Sequence, residues 1–132
     1  MTSVLNVDTI ADKAGTGPVA FTKQHVSKCY AQWDMSGTAH INDSFATSGL
    51  TDSGTGVAKI TFTNSFDSAE YGFSTGVGET DGGGNRGIGA RGNSPGIGAG
   101  HMTLFSFTMP SEGGTSAADV NLCSANWHGD LA

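Results

Sequence analysis

Positive charge is scarce in this chain: six lysines and arginines stand against twelve aspartates and glutamates in 132 residues, a formal net charge of −6. A surface of that sign repels a phosphate backbone, and no basic cluster overturns the average, so no nucleic-acid partner is expected. Long apolar runs are missing as well. No stretch is long enough to span a bilayer, and Met1 is followed by polar Thr2 and Ser3 rather than the apolar core of a leader, so no membrane partner is expected either. Cysteine occurs only twice, at Cys29 before Tyr30 and at Cys123 shortly before Trp127. Two reduced, half-buried thiols are the expectation. Helical periodicity is the last absence. No segment repeats apolar residues at 3.6-residue spacing for three turns, which leaves little room for long helices.

The letters of catalysis are present without an arrangement. There is no GxSxG elbow to activate a serine. The carboxylate pairs Asp67 with Glu70 and Glu79 with Asp81 read as loop solvation, and no calcium loop of the DxDxDG kind occurs. The four histidines, His25, His40, His101 and His128, are far apart, and His128 with Asp130 has a spacing used by metal sites. Gly87-Ile88-Gly89-Ala90-Arg91-Gly92 matches a dinucleotide fingerprint letter by letter. That fingerprint needs a helix behind it, and Asn93-Ser94-Pro95-Gly96 would end one before it began. The expectation is therefore a protein that is not an enzyme and holds no cofactor and no metal.

What the chain does have is glycine, 21 residues of it, together with many serines, threonines, asparagines and aspartates. Between these turn formers lie short apolar alternations, the pattern of strands in a sandwich or barrel. From Val26 to Trp33, Cys29, Ala31 and Trp33 share one face. A further strand is expected to begin near Phe45 and to end at the turn Thr51–Gly56. From Val57 to Asn64, Ala58, Ile60 and Phe62 point inward, and Tyr71 to Val77 continues in kind. From Met102 to Met109, Phe105, Phe107 and Met109 oppose Leu104 and Ser106. From Asp119 to His128, Cys123, Ala125 and Trp127 oppose Val120 and Leu122. Trp33 and Trp127 belong to the core on this alternation, whereas Tyr30 and Tyr71 are candidates for stacking on a sugar. The count predicts an all-β, jelly-roll-like β-sandwich of about seven to eight strands.

Two segments stand apart from the sandwich at 25–132. Residues 1–24 read as an extended N-terminal arm, in which Leu5 and Val7 share a face, Ile10 breaks the alternation, and Val19 and Phe21 follow a Gly-Thr-Gly-Pro joint. It is too small to bury a core, so attachment is its expected role, with Leu5, Val7, Ile10, Val19 and Phe21 as the contacts. Nearly half the glycines crowd into a stretch within 78–100, which reads as a loop. Its near-repeat, Arg86-Gly87-Ile88-Gly89-Ala90 and Pro95-Gly96-Ile97-Gly98-Ala99, offers Ile88 and Ile97 as apolar anchors and Arg86 and Arg91 as its cations. A subunit or partner contact is the expectation there.

Ser3-Val4-Leu5-Asn6-Val7-Asp8-Thr9-Ile10, then Gly15-Thr16-Gly17-Pro18-Val19 and Thr22-Lys23-Gln24, resembles the opening of many phage tail-fibre and small virion structural proteins, especially those of marine phages. Thr38, Asn42-Asp43-Ser44-Phe45, Thr51-Asp52-Ser53-Gly54-Thr55-Gly56, Ile60-Thr61-Phe62-Thr63-Asn64 and the ending from Val120 to Ala132 are similar in kind. The resemblance implies a bacteriophage virion protein, assembled in the bacterial host cytoplasm and displayed on the virion surface as a homotrimer. A chain this short has no room for a fibre shaft, which favours a capsid decoration (cement) protein that binds the major capsid protein and stabilises the shell. The alternative is a short tail fibre or receptor-binding protein, with tail proteins and a host surface glycan as partners.

Overall fold

Strict alternation builds the first strand, β1 (Cys29–Asp34): Cys29, Ala31 and Trp33 are buried while Tyr30, Gln32 and Asp34 are partly exposed. In the computed structural model, residues 27–78, 85–91, 96–109 and 115–130 are described. The expected arm, with Leu5, Val7, Ile10, Val19 and Phe21, lies outside the described residues.

After β1 the Asp34 carboxylate accepts hydrogen bonds from the Ser36 N–H at 2.6 Å and the Ser36 hydroxyl at 2.7 Å, which turns the chain. It returns as β2 (His40–Phe45), crosses at Ala46, and continues as β3 (Thr47–Asp52) and β4 (Val57–Phe62). Next come β5 (Gly72–Gly78), β6 (Asn85–Ala90), β7 (Ile97–Gly98), β8 (His101–Met109), β9 (Ser116–Ala117) and β10 (Leu122–His128). Eight of these strands have six residues or more, within the expected count, although the alternation marks neither β2 nor β6; β7 and β9 are two-residue additions.

The strands form two antiparallel sheets. One has the order β2-β1-β10-β5; the other has β3-β4-β8-β6, with β7 and β9 also paired to the long central β8. The fold is an all-β sandwich. Its strand order defines the sandwich, and the finer jelly-roll designation goes beyond that order. The inner faces share one core: Ala31, Trp33, Cys123, Ala125 and Trp127 from the first sheet meet Ala58, Ile60, Phe62, Met102 and Leu104 from the second. Burying each large apolar side chain contributes about 1.5–3 kcal/mol. Both cysteines are free, and they are fully buried rather than half-buried.

Three expectations change. The strand expected to begin near Phe45 is β3, and an unexpected strand, β2, comes before it: β2 ends at Phe45 and the chain turns from one sheet to the other through Ala46, at φ +55°. Val120 does not point outward. It precedes β10, is fully buried, and its carbonyl accepts the Met35 N–H at 3.0 Å. The glycine-rich stretch is not simply a loop: β6 and β7 form within it, because β8 offers both a ladder of hydrogen-bonding groups and side chains that cover the bare glycines.

Candidate functional site

The four residues expected to form a contact loop lie along one edge of β8 rather than in one patch. Arg86 is opposite Thr108 and Ile88 opposite Ser106 on β6, and Ile88 packs against the core. The Arg91 N–H donates to the Thr103 carbonyl at 2.9 Å. Ile97 is opposite Met102 and 42 % exposed. From Thr108 to Met102 the spacing along β8 is about 20 Å. Ile88 therefore serves the sandwich interior, and Ile97 and Arg91 remain at the surface.

Alternation along β8 sends Met102, Leu104 and Ser106 inward and Phe105, Phe107 and Met109 outward. On the outer face Phe105 and Phe107 stack with ring centroids 5.8 Å apart and planes at 25°. Their cross-strand neighbours are Val57 and Ala117 on one side, Gly89 and Gly87 on the other. The Phe107 ring lies across Gly87, where a Cβ would come 2.5 Å from the ring. Both phenylalanines are only partly covered, and Met109 at the end of the row is 42 % exposed. This is an apolar stripe on the outside of a sheet.

The outer face of the first sheet is built differently. Register places Phe45, Tyr30, Asn126 and Ser74 in one row across four strands, and Asp43, Gln32, Ser124 and Gly76 in the next. Tyr30 and Phe45 stack with centroids 6.5 Å apart and planes at 19°. The Tyr30 hydroxyl donates to Asp43 Oδ2 at 2.9 Å, and that bond raises its pKa above the ordinary 10.0. At the far end Gln32, Gly76, Val77, Gly78, Leu122 and Ser124 line an open hollow of about 250 Å³.

A node of hydrogen bonds ties the second sheet to the segment before β10. The Ser106 hydroxyl donates to the Ala118 carbonyl at 2.7 Å and is 3.3 Å from the Gly56 carbonyl. The Gly56 N–H donates to Asp119 Oδ1 at 2.6 Å. Sequence reasoning missed this node, since nothing marks a lone inward serine as a hub.

The titratable groups are placed for structure. Tyr71, the second tyrosine singled out for sugar stacking, stacks instead on Phe66 at 4.5 Å, and its hydroxyl is 3.0 Å from the His101 carbonyl and 3.2 Å from that of Gly98. Burial pushes it up to about 12. Burial also pushes the Cys123 thiol up to about 12 and raises Cys29, while burial and the Lys59 charge lower His101. Asp67 and Glu70 share a hollow of about 90 Å³ with Asp130. Among the described residues no group of three or more His, Cys, Asp or Glu is set to hold a metal ion.

Compared with known proteins, the chain matches no family model, no curated protein and no solved structure.

Proposed function

We propose that this chain is a structural subunit of a bacteriophage virion, a capsid decoration protein that works as a homotrimer on the major capsid protein at the virion surface. The observation that carries the reading is the apolar row on the outside of a sheet, in which Phe105 and Phe107 are partly exposed and Met109 is exposed. An apolar row on the outside of a sheet supports a subunit whose outer face is covered in an assembly. The likeness of the chain to small virion proteins supports the same direction. A protein that binds only the finished shell stabilises it by mass action, and three-fold placement multiplies weak contacts.

Gel densitometry of purified particles tests the reading. A decoration protein is expected at a copy number on the order of hundreds, set by the symmetry of the shell. A copy number equal to that of the tail proteins would overturn it and favour the short tail-fibre reading.

A further inference from the structure

We propose that the outer face of the β2-β1-β10-β5 sheet binds a neutral oligosaccharide. A sugar ring presents two surfaces at once: C–H faces that pack on aromatic rings, and hydroxyls that both donate and accept hydrogen bonds. This sheet face offers a partner for each, in order. At one edge Phe45 is 60 % exposed and lies beside Tyr30, their planes only 19° apart, so the two rings form an apolar plate. The Tyr30–Asp43 hydrogen bond holds the plate in place.

Beyond the plate the rows continue through Asn126, Ser74, Gln32 and Ser124. These are neutral groups that donate and accept alike, the match for sugar hydroxyls. At the opposite edge the absence of side chains at Gly76 and Gly78 leaves the 250 Å³ hollow between Gln32 and Leu122. Four strands set about 4.8 Å apart place Phe45 and Ser74 about 14 Å from each other, room for several linked sugars rather than one.

Charge selects within the class. The one ionised side chain of the two rows is Asp43, so an acidic sugar meets repulsion at the plate and a neutral one does not. The assignment does not depend on where the subunit sits on a particle, and densitometry and sugar binding are independent readouts.

The test is calorimetric titration of the full-length protein with cellohexaose, maltohexaose, chitohexaose and mannohexaose, with hexagalacturonate as the acidic comparator. At least one neutral probe is expected to bind and to shift the amide resonances of Tyr30, Gln32, Ser124 and Asn126. Phe45→Ala, a change at an exposed edge, is expected to weaken that binding about tenfold or more, while the melting temperature stays put. Gly76→Leu fills the hollow and is expected to weaken it as well. The proposal is overturned if none of the four neutral probes binds, if hexagalacturonate binds as tightly, or if Phe45→Ala binds unchanged. It is also overturned if Phe45→Ala lowers the sedimentation coefficient, which makes the plate a contact between subunits.

Discussion

Phe62 and Trp127 meet across the core edge to face, with ring centroids 5.1 Å apart and planes at 64°, one ring from each sheet. The Trp127 indole N–H reaches the same opposite sheet, at 3.1 Å from Met102 Sδ. Phe62 in turn packs edge-on to Phe66 and Tyr71. The two sheets are thus joined by an aromatic cluster centred on Phe62.

Truncating the centre of that cluster should therefore be severe. Phe62→Ala is expected to lower stability by about 3–5 kcal/mol, through lost burial and the cavity left behind. Trp127→Phe keeps a ring at the interface and should cost less. Urea denaturation of the two variants checks the order, and equal losses would contradict it.

Gly56 and Gly37 have nearly the same backbone, with φ of +69° and +74°. Their surroundings differ. A Cβ at Gly56 would run into the Ser106 carbonyl oxygen and the Ala118 backbone, whereas at Gly37 it meets open space. Gly37→Ala should cost about 1–2 kcal/mol for the left-handed conformation alone. Gly56→Ala should cost clearly more, because it also opens the Ser106–Ala118–Asp119 node. Thermal melts of both variants separate backbone strain from crowding.

Alkaline pH should loosen the fold. Tyr71 and Cys123 have folded-state values of about 12, above their ordinary 10.0 and 9.0. The unfolded chain therefore loses these protons first, and stability falls as pH rises from about 9 towards 12. Below pH 9 this contribution is fully present. Tyr71→Phe should flatten the slope between pH 10 and 12, measured as urea midpoint against pH. An unchanged slope would place the effect elsewhere.

The same burial should silence the thiols. At pH 8 iodoacetamide is expected to label neither Cys29 nor Cys123 in the folded protein and both in urea, since the thiolate is the reactive form. Mass spectrometry counts the adducts.

Every buried apolar residue of the described core lies between Cys29 and Trp127. Under the proposed decoration role, deleting residues 1–24 should leave a folded sandwich that no longer binds expanded capsids. Retained binding would remove the arm from the attachment role.

The strands most legible in the sequence are those that bury one face and wet the other. β1 and β10 alternate cleanly because Ala31, Trp33, Ala125 and Trp127 face the core and their neighbours face water. β2 was hidden because it is an edge strand: His40, Asn42 and Asp43 are exposed, so its composition resembles a turn. β6 was hidden for a different reason. Gly87 and Gly89 carry no side chain to declare a face, and the Phe107 ring that covers Gly87 is some twenty residues further on. The stacking of Tyr30 on Phe45 is not legible in the sequence. Their pairing depends on the β1–β2 register, which shifts between Gln32 and Trp33.

Ala46 is the whole of the corner between β2 and β3, a single left-handed residue whose carbonyl also accepts the Thr63 N–H at 2.9 Å. A corner of one residue has no slack. Side chains alternate with a period of two, so adding or removing a residue there would turn Phe45 inward or carry Leu50 out of the core. For anyone grafting a tag or a peptide into this protein, residue 46 is the wrong place. The turn at Ser53–Gly54–Thr55, on the surface between β3 and β4, can lengthen without changing which way either strand faces.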